Sequence, residues 1–221
     1  MSEKEMRGRQ LRMINTEFTT REDGEDLSIE GYFAVFNSNY EIWPGATESI
    51  APGAFTDAMA GDVRALVNHD TTLVLGRNKA NTLQLKEDAH GLWGQVRINP
   101  NDHAAMDLYE RVKRGDVDGC SIGFDIAEEE TEFLKNGDVH WTIKKVMPLY
   151  EVSACTFPAY QETNISARHA QLDEIKKREA DAWRAKTRER LHHGTESTDE
   201  AQRTRPAEQP ARGTAREGRR L

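Results

Sequence analysis

Asp118-Gly119-Cys120-Ser121-Ile122-Gly123-Phe124-Asp125 is the stretch on which the reading of this chain turns. Asp118-Gly119 makes a bend, and the apolar residues after it alternate with small or polar ones. Side chains on a strand point alternately to its two faces. Cys120, Ile122 and Phe124 therefore face a core, and Ser121, Gly123 and Asp125 face the other way. A serine flanked by Gly119 and Gly123 has open space above it, where another chain can approach. Alone, it is a small residue on a solvated strand face. Its interest depends on what the fold brings beside it.

Downstream lie the acidic run Glu128-Glu129-Glu130 and the dipeptide Asn136-Gly137, a hairpin signal. The return strand runs from Val139 through Trp141 and Ile143 to Val146. Pro148 marks an edge or a bulge, because proline cannot donate to the ladder. Residues 150–157 then resume as strand. If Lys135-Asn136-Gly137 is a three-residue loop with Gly137 left-handed, Leu134 faces Asp138. Carried back along the ladder, that register sets Ser121 opposite Glu151. A two-residue Asn-Gly turn sets Val152 there instead, and a one-residue slip exchanges the two faces. In both registers Glu151 lies within one pair of Ser121. Alternation puts Tyr150, Val152 and Ala154 on the core side and Glu151 on the serine's side.

Upstream, residues 11–18 suit an edge strand, and residues 27–36 a strand built around Gly31-Tyr32-Phe33-Ala34-Val35-Phe36. A loop follows, with Trp43-Pro44-Gly45. Pro52 is placed to open a short helix to Met59, stopped by Gly61. A strand over 63–67 ends at Asn68-His69-Asp70. Further strands are expected at 73–77, 82–85 and 91–98. Asn101-Asp102 can cap a helix over 103–114, whose Ala105, Leu108, Tyr109 and Val112 fall at helical spacing, and Gly115 supplies its stop. The fold class that results is α+β, mainly β: a barrel or sandwich of short strands with two or three helices.

The chain has 221 residues, a formal net charge of −8 and 37% hydrophobic residues, low for a chain that packs throughout. Residues 170–221 hold 13 Lys+Arg against 10 Asp+Glu, so the excess negative charge lies entirely in the body. An acidic body argues against specific or general nucleic-acid binding. No apolar run spans a membrane, and no apolar leader is seen at the N-terminus. Cys120 and Cys155 suit a reducing compartment rather than a disulfide framework. No cofactor or metal is expected, since no ligands fall at metal spacing. Four regions are expected: a flexible N-terminus over 1–10, a folded domain over 11–166, a charged helix over 167–191 and a disordered tail over 192–221, whose composition cannot offset the entropy of ordering.

A serine hydroxyl is a poor nucleophile until a base removes its proton. Imidazole has a suitable pKa, and a carboxylate can fix its tautomer and stabilise its charged form. His69, at a strand end, is the candidate base, although a loop histidine bonded to Asp70 is the plainer reading. His103 belongs to a helix's first turn, His140 to the exposed hairpin and His90 to a turn. Cys120 shares the face of Ile122 and Phe124 and reads as core; Cys155 shares the face of Glu151. Gly119-Cys120-Ser121-Ile122-Gly123 also has the letters of a nucleophile elbow, but a strand rather than a helix follows it.

The chain resembles the tailed-bacteriophage prohead, or capsid maturation, protease family, whose fold is similar to that of the herpesvirus assemblins. The resemblance is carried, in order, by the stretches Glu30-Gly31-Tyr32-Phe33-Ala34-Val35-Phe36, Glu48-Ser49-Ile50-Ala51-Pro52-Gly53-Ala54-Phe55, Asn68-His69-Asp70, Gly119-Cys120-Ser121-Ile122-Gly123-Phe124, Leu149-Tyr150-Glu151-Val152-Ser153 and Thr156-Phe157-Pro158-Ala159. It implies an assemblin-like small β-barrel with flanking helices. It also implies a serine endopeptidase in which Ser121 is the nucleophile, His69 the base and Glu151 the third member. The implied partners are the major capsid protein with its scaffolding segment, and the chain itself through autocleavage and homo-oligomerisation. The implied place is the assembling procapsid in the host cytoplasm. The rival reading is a non-catalytic scaffold or assembly module on the same fold.

Overall fold

The computed structural model describes residues 10–23, 26–156, 168–169, 171–178 and 180–189. It divides into two compact units, Met1–His169 and Ala170–Leu221. In the second unit, residues 171–178 and 180–189 are helical. Their charges pair along the helix, as Asp181 with Arg184 at 2.9 Å. The segments 1–9 and 192–221, expected to be flexible and disordered, lie outside the described residues.

The first unit is built on one long hairpin. Strands β10 (Gly119–Phe133) and β11 (Val139–Cys155) are antiparallel, and the rest of their sheet attaches to one of them directly or through one intervening strand. Strand β1 (Gln10–Asn15) lies along the first half of β10. Strands β5 (Ala46–Ile50) and β6 (Arg64–Val67) run parallel to β11, one after the other. The first pairs with Val139–Ile143 and the second with Glu151–Ala154. Outside them lie β4 (Tyr40–Trp43), on β5, and β7 (Asp70–Arg77), on β6. A second, four-stranded sheet is ordered β2-β3-β9-β8, made of Thr19–Asp23, Asp26–Val35, Gly91–Ile98 and Leu83–Glu87.

The core lies where these sheets face each other. Phe33, Leu92 and Val96 of the second sheet meet Ile122, Phe124 and Val152 of the first. Each such burial contributes about 1.5–3 kcal/mol relative to exposure. Helix α1 (His103–Arg114) adds Leu108, Tyr109 and Val112. Its ends follow the sequence. Asp102 accepts hydrogen bonds from the Ala104 and Ala105 amides at 3.0 and 3.3 Å. Gly115, at φ 85°, returns its N–H to the carbonyls of Arg111 and Val112.

Three expectations are corrected here. The strands do not close into a barrel: β1 and β4 end the hydrogen-bonded path of one sheet, and β2 and β8 end the other. Alternation fixes which face of a strand is buried, but it does not say whether the last strand meets the first. Residues 40–43 and 46–50 form β4 and β5 rather than a loop. No α-helix opens at Pro52. The Ala51 amide donates to Ile143, Ala54 accepts from Val146, and Gly53 is left-handed, which leaves turns and a short 3-10 stretch at Ala58–Ala60.

A buried ion network closes one side of the unit. Glu48, on β5, takes Arg12 of β1 on both carboxylate oxygens, with Nη2 at 2.9 Å from Oε2, and also receives Arg168. Arg168 reaches Glu129 at 2.6 Å and lies over the Trp141 ring. Burial would raise the Glu48 carboxyl, but the charges and hydrogen bonds of Arg12 and Arg168 overcome it and hold it below its ordinary 4.5. A carboxyl lowered on folding adds stability that is complete above its unfolded value and is lost as pH falls through the folded one. Urea titrations of wild type should therefore show stability falling below pH 4.5. Glu48→Gln should flatten that limb while costing about 3–5 kcal/mol at neutral pH, since it leaves two guanidinium groups without their buried carboxylate.

Candidate active site

Every residue of Asn68-His69-Asp70 has a local task. Val67 pairs with Asp70, so Asn68 and His69 form a two-residue reversal between β6 and β7, with φ of 48° and 62°. Such a turn needs left-handed backbone at both central positions, where asparagine is favoured and glycine usually follows. Histidine in the second position is held there against steric cost. Three hydrogen bonds tie the turn to the end of β11. The Asn68 amide donates to the Ala154 carbonyl at 2.9 Å, and Asn68 Oδ1 accepts the Thr156 amide at 3.0 Å. The His69 amide donates to Ser153 Oγ at 3.3 Å. Asp70 does not bond the histidine. Its Oδ1 accepts from the amide and hydroxyl of Thr72 at 2.8 and 2.6 Å, shaping the bulge that follows.

This clamp brings the imidazole to Glu151. His69 Nδ1 lies 2.6 Å from Glu151 Oε1, and Ser153 Oγ donates to Oε2 at 2.5 Å. The carboxylate is nearly sealed from solvent while the imidazole keeps 17% of its side-chain surface. A carboxylate accepts, so Nδ1 carries the proton and Nε2 presents its lone pair. Nε2 lies 3.9 Å from Cys155 Sγ.

Ser121 stands on β10, directly opposite Ser153, and Gly123 is opposite Glu151. The expected pairing of Ser121 with Glu151 is therefore corrected by one pleat. The loop itself is as expected, with Gly137 at φ 89° and Leu134 bonded to Asp138. The shift accumulates beyond it. From Phe133↔Val139 to Gly123↔Glu151, β10 advances ten residues and β11 twelve, through bulges on either side of Pro148. Two extra residues preserve parity, so Ser121, Ser153, Glu151 and Cys155 share one face, and Glu151 is the diagonal neighbour of Ser121.

The second correction concerns exposure. Ser121 is buried rather than open, and its Oγ makes no hydrogen bond among the described residues. A buried hydroxyl without a partner is uncommon and marks strain or a catalytic role. The structure thus joins two of the three expected residues, His69 and Glu151, and sets the third on the adjacent strand of the same face without a bond to the imidazole. Neither cysteine is a nucleophile at rest. Burial, then the charge of Glu151, pushes the Cys155 thiol up to about 12. Cys120 is raised further by burial and lies on the core face, its thiol directed at the Tyr32 carbonyl.

Other features fall elsewhere. The cavity of about 280 Å³ lined by Arg12, Phe33, Tyr40, Glu48 and Ile122 is on the core side of β10 and holds none of these groups. His140 is not on an exposed hairpin but bridges the hydroxyls of Thr47 and Ser49, at 2.7 and 2.9 Å, sewing β5 to β11. Residues 157–159, in the last of the stretches that carry the resemblance, lie outside the described residues. Among the described residues no cluster of His, Cys, Asp and Glu could hold a metal, and no helix is long and apolar enough to cross a membrane. Sequence reasoning missed Ser153 and Asn68. The signal for Ser153 was its position two residues after Glu151, which alternation puts on the same face.

The prohead protease of Enterobacteria phage HK97 is 32% identical over 161 residues, covering 71% of this chain and 67% of that protein. The solved structure of the bacteriophage T4 capsid assembly protease is 15% identical with a TM-score of 0.43, covering 67% of this chain and 98% of that one. Residues 15–178 match the caudovirus prohead serine protease family, and it is to this family that the chain belongs.

Proposed function

We propose that the chain is a serine endopeptidase of capsid maturation in which Ser121 attacks a peptide carbonyl, His69 takes its proton and Glu151 orients the imidazole. The observation that carries this reading is the 2.6 Å contact of His69 Nδ1 with a buried carboxylate, which leaves Nε2 as the basic atom. Ser121 Oγ forms its bond to the carbonyl carbon as its proton passes to Nε2, giving a tetrahedral oxyanion and an imidazolium. The imidazolium returns that proton to the leaving amine, and the C–N bond breaks. Water then repeats the sequence on the acyl-enzyme. Backbone N–H groups hold the oxyanion; the segment around Thr156 is our candidate for them. Bonds between nucleophile and base often form only in the substrate complex, which fits a Ser121 hydroxyl that has no partner at rest.

The family supports capsid protein as the substrate class. We take the substrates to be the scaffolding segment of the major capsid protein and then the protease itself, inside the procapsid in the host cytoplasm, with copies of the chain assembled together. The tail after Ala167 is the candidate segment for self-cleavage or for tethering to capsid protein. A non-catalytic assembly module is the second reading, and the burial of Ser121 away from any bond to the imidazole among the described residues is the observation in its favour.

Co-expression with the major capsid protein, read by mass spectrometry, should show trimmed capsid protein with wild type and full-length capsid protein with Ser121→Ala, while both chains fold alike. Trimming by that variant would remove Ser121 from its role. A fluorophosphonate probe should label Ser121 in wild type and not in His69→Ala, whereas absence of label in every assembly state would favour the assembly module. Glu151→Gln should lower the cleavage rate by about 10²–10⁴-fold, the scale found when an orienting carboxylate becomes an amide, as measured on a peptide spanning a mapped cleavage site.

A further inference from the structure

Ser153 takes no proton in this scheme, yet its hydroxyl touches both halves of the pair. It is fully buried. Its Oγ–H donates to Glu151 Oε2 at 2.5 Å, and its lone pair accepts the His69 backbone N–H at 3.3 Å. We propose that Ser153 is a positioning residue for the acid–base pair: one hydroxyl fixes the orientation of the carboxylate and the placement of the histidine turn together. The proposal rests on the reading of His69 and Glu151 as that pair.

The physical case has three parts. First, a glutamate has three rotatable side-chain bonds, and a contact through Oε1 alone leaves the carboxylate plane free to turn. A donor on Oε2 removes that freedom. Second, a donor to a buried carboxylate oxygen stabilises it, and Ser153 supplies one to Oε2 from two residues along β11 on the same face. Third, His69 is in a left-handed conformation that an L-residue adopts at a cost, and its own amide is anchored by this hydroxyl. Side chain and backbone of the base are thus referred to a single oxygen. Size matters as well. Ser153 is the direct cross-strand partner of Ser121, where opposed Cβ atoms lie about 4.5–5.5 Å apart. A residue at 153 must donate a hydrogen bond while leaving room for the nucleophile, and serine is the smallest that does both.

Three variants of the full chain test this: Ser153→Ala, which removes only the hydroxyl, Ser153→Cys, which keeps the bulk with a weaker donor, and Ser121→Ala. Two readouts are used, steady-state cleavage of a mapped peptide and the far-downfield proton NMR signal of His69 Nδ1–H against its carboxylate. Ser153→Ala should lower kcat by about 10–100-fold, the scale of a misplaced catalytic group, with KM unchanged, and should shift or broaden the downfield signal. Ser153→Cys should fall between alanine and wild type in both. An alanine variant with wild-type kcat and an unmoved signal, or one that loses only thermal stability, overturns the proposal. If alanine does not fold, a cysteine variant matching wild type in rate and signal overturns it equally. Ser121→Ala should keep the signal while losing cleavage. Should it still cleave, the reading of the nucleophile fails, and the signal in the Ser153 variants still reports on the positioning separately.

Discussion

The site depends on a short parallel contact: four residue pairs join β6 to the end of β11, from Arg64 opposite Glu151 to Val67 opposite Ala154. Because the strands run the same way, both end at the same level. The reversal at Asn68-His69 therefore stands beside the row Glu151, Ser153 and Cys155. An antiparallel neighbour would have brought the start of a strand to this point. A slip of one residue would have turned that row to the core and put Val152 under the imidazole. The amide of Asn68 on Ala154 and the amide of Thr156 on Asn68 fix the register at the point where it matters.

Two buried carboxylates in this unit show how surroundings decide what an acid does. Glu48 and Glu151 are both removed from water. Glu48 is held by the guanidinium groups of Arg12 and Arg168, permanent charges that keep it ionised and tie β1, β5 and the chain at Arg168 into one body. Glu151 instead accepts from the His69 imidazole at 2.6 Å and from the Ser153 hydroxyl at 2.5 Å. The first carboxylate is structural because its two guanidinium partners come from distant parts of the chain and meet on it. The second is tied instead to a ring and a hydroxyl, neither of which is a permanent charge.

The two sides of β10 divide the work in the same way. Cys120, Ile122 and Phe124 pack the core, and Ser121 looks the other way, buried opposite Ser153. The Ser121 hydroxyl is buried and has no partner among the described residues, in a chain that belongs to a serine protease family. The thiol of Cys155 beside His69 Nε2 stays protonated, since burial and the nearby carboxylate both oppose the thiolate.

Local chemistry made much of this legible beforehand. The Asn136-Gly137 loop, the Asp102 cap and Gly115 stop of α1, and the alternation that separates Cys120 from Ser121 follow from rules acting over a few residues, and the structure follows them. Parity likewise put Glu151 on the serine's face, because two added residues leave a period of two intact. Anything that depends on which distant strand lies alongside was beyond such rules. The bulges near Pro148 moved the register by one pleat, β4 and β5 formed because β11 offered an edge, and the sheets stayed open rather than closing. The Glu48 network and the role of Ser153 also needed coordinates, since each hydrogen bond there joins residues through space or through a rotamer that the order of amino acids does not set. Sequence determined which groups were available and that Ser121 and Glu151 share a face, but not that a bulge would turn Tyr150, expected in the core, outward to Asp125; the pairing of β6 with β11 decided that an imidazole and a carboxylate would meet.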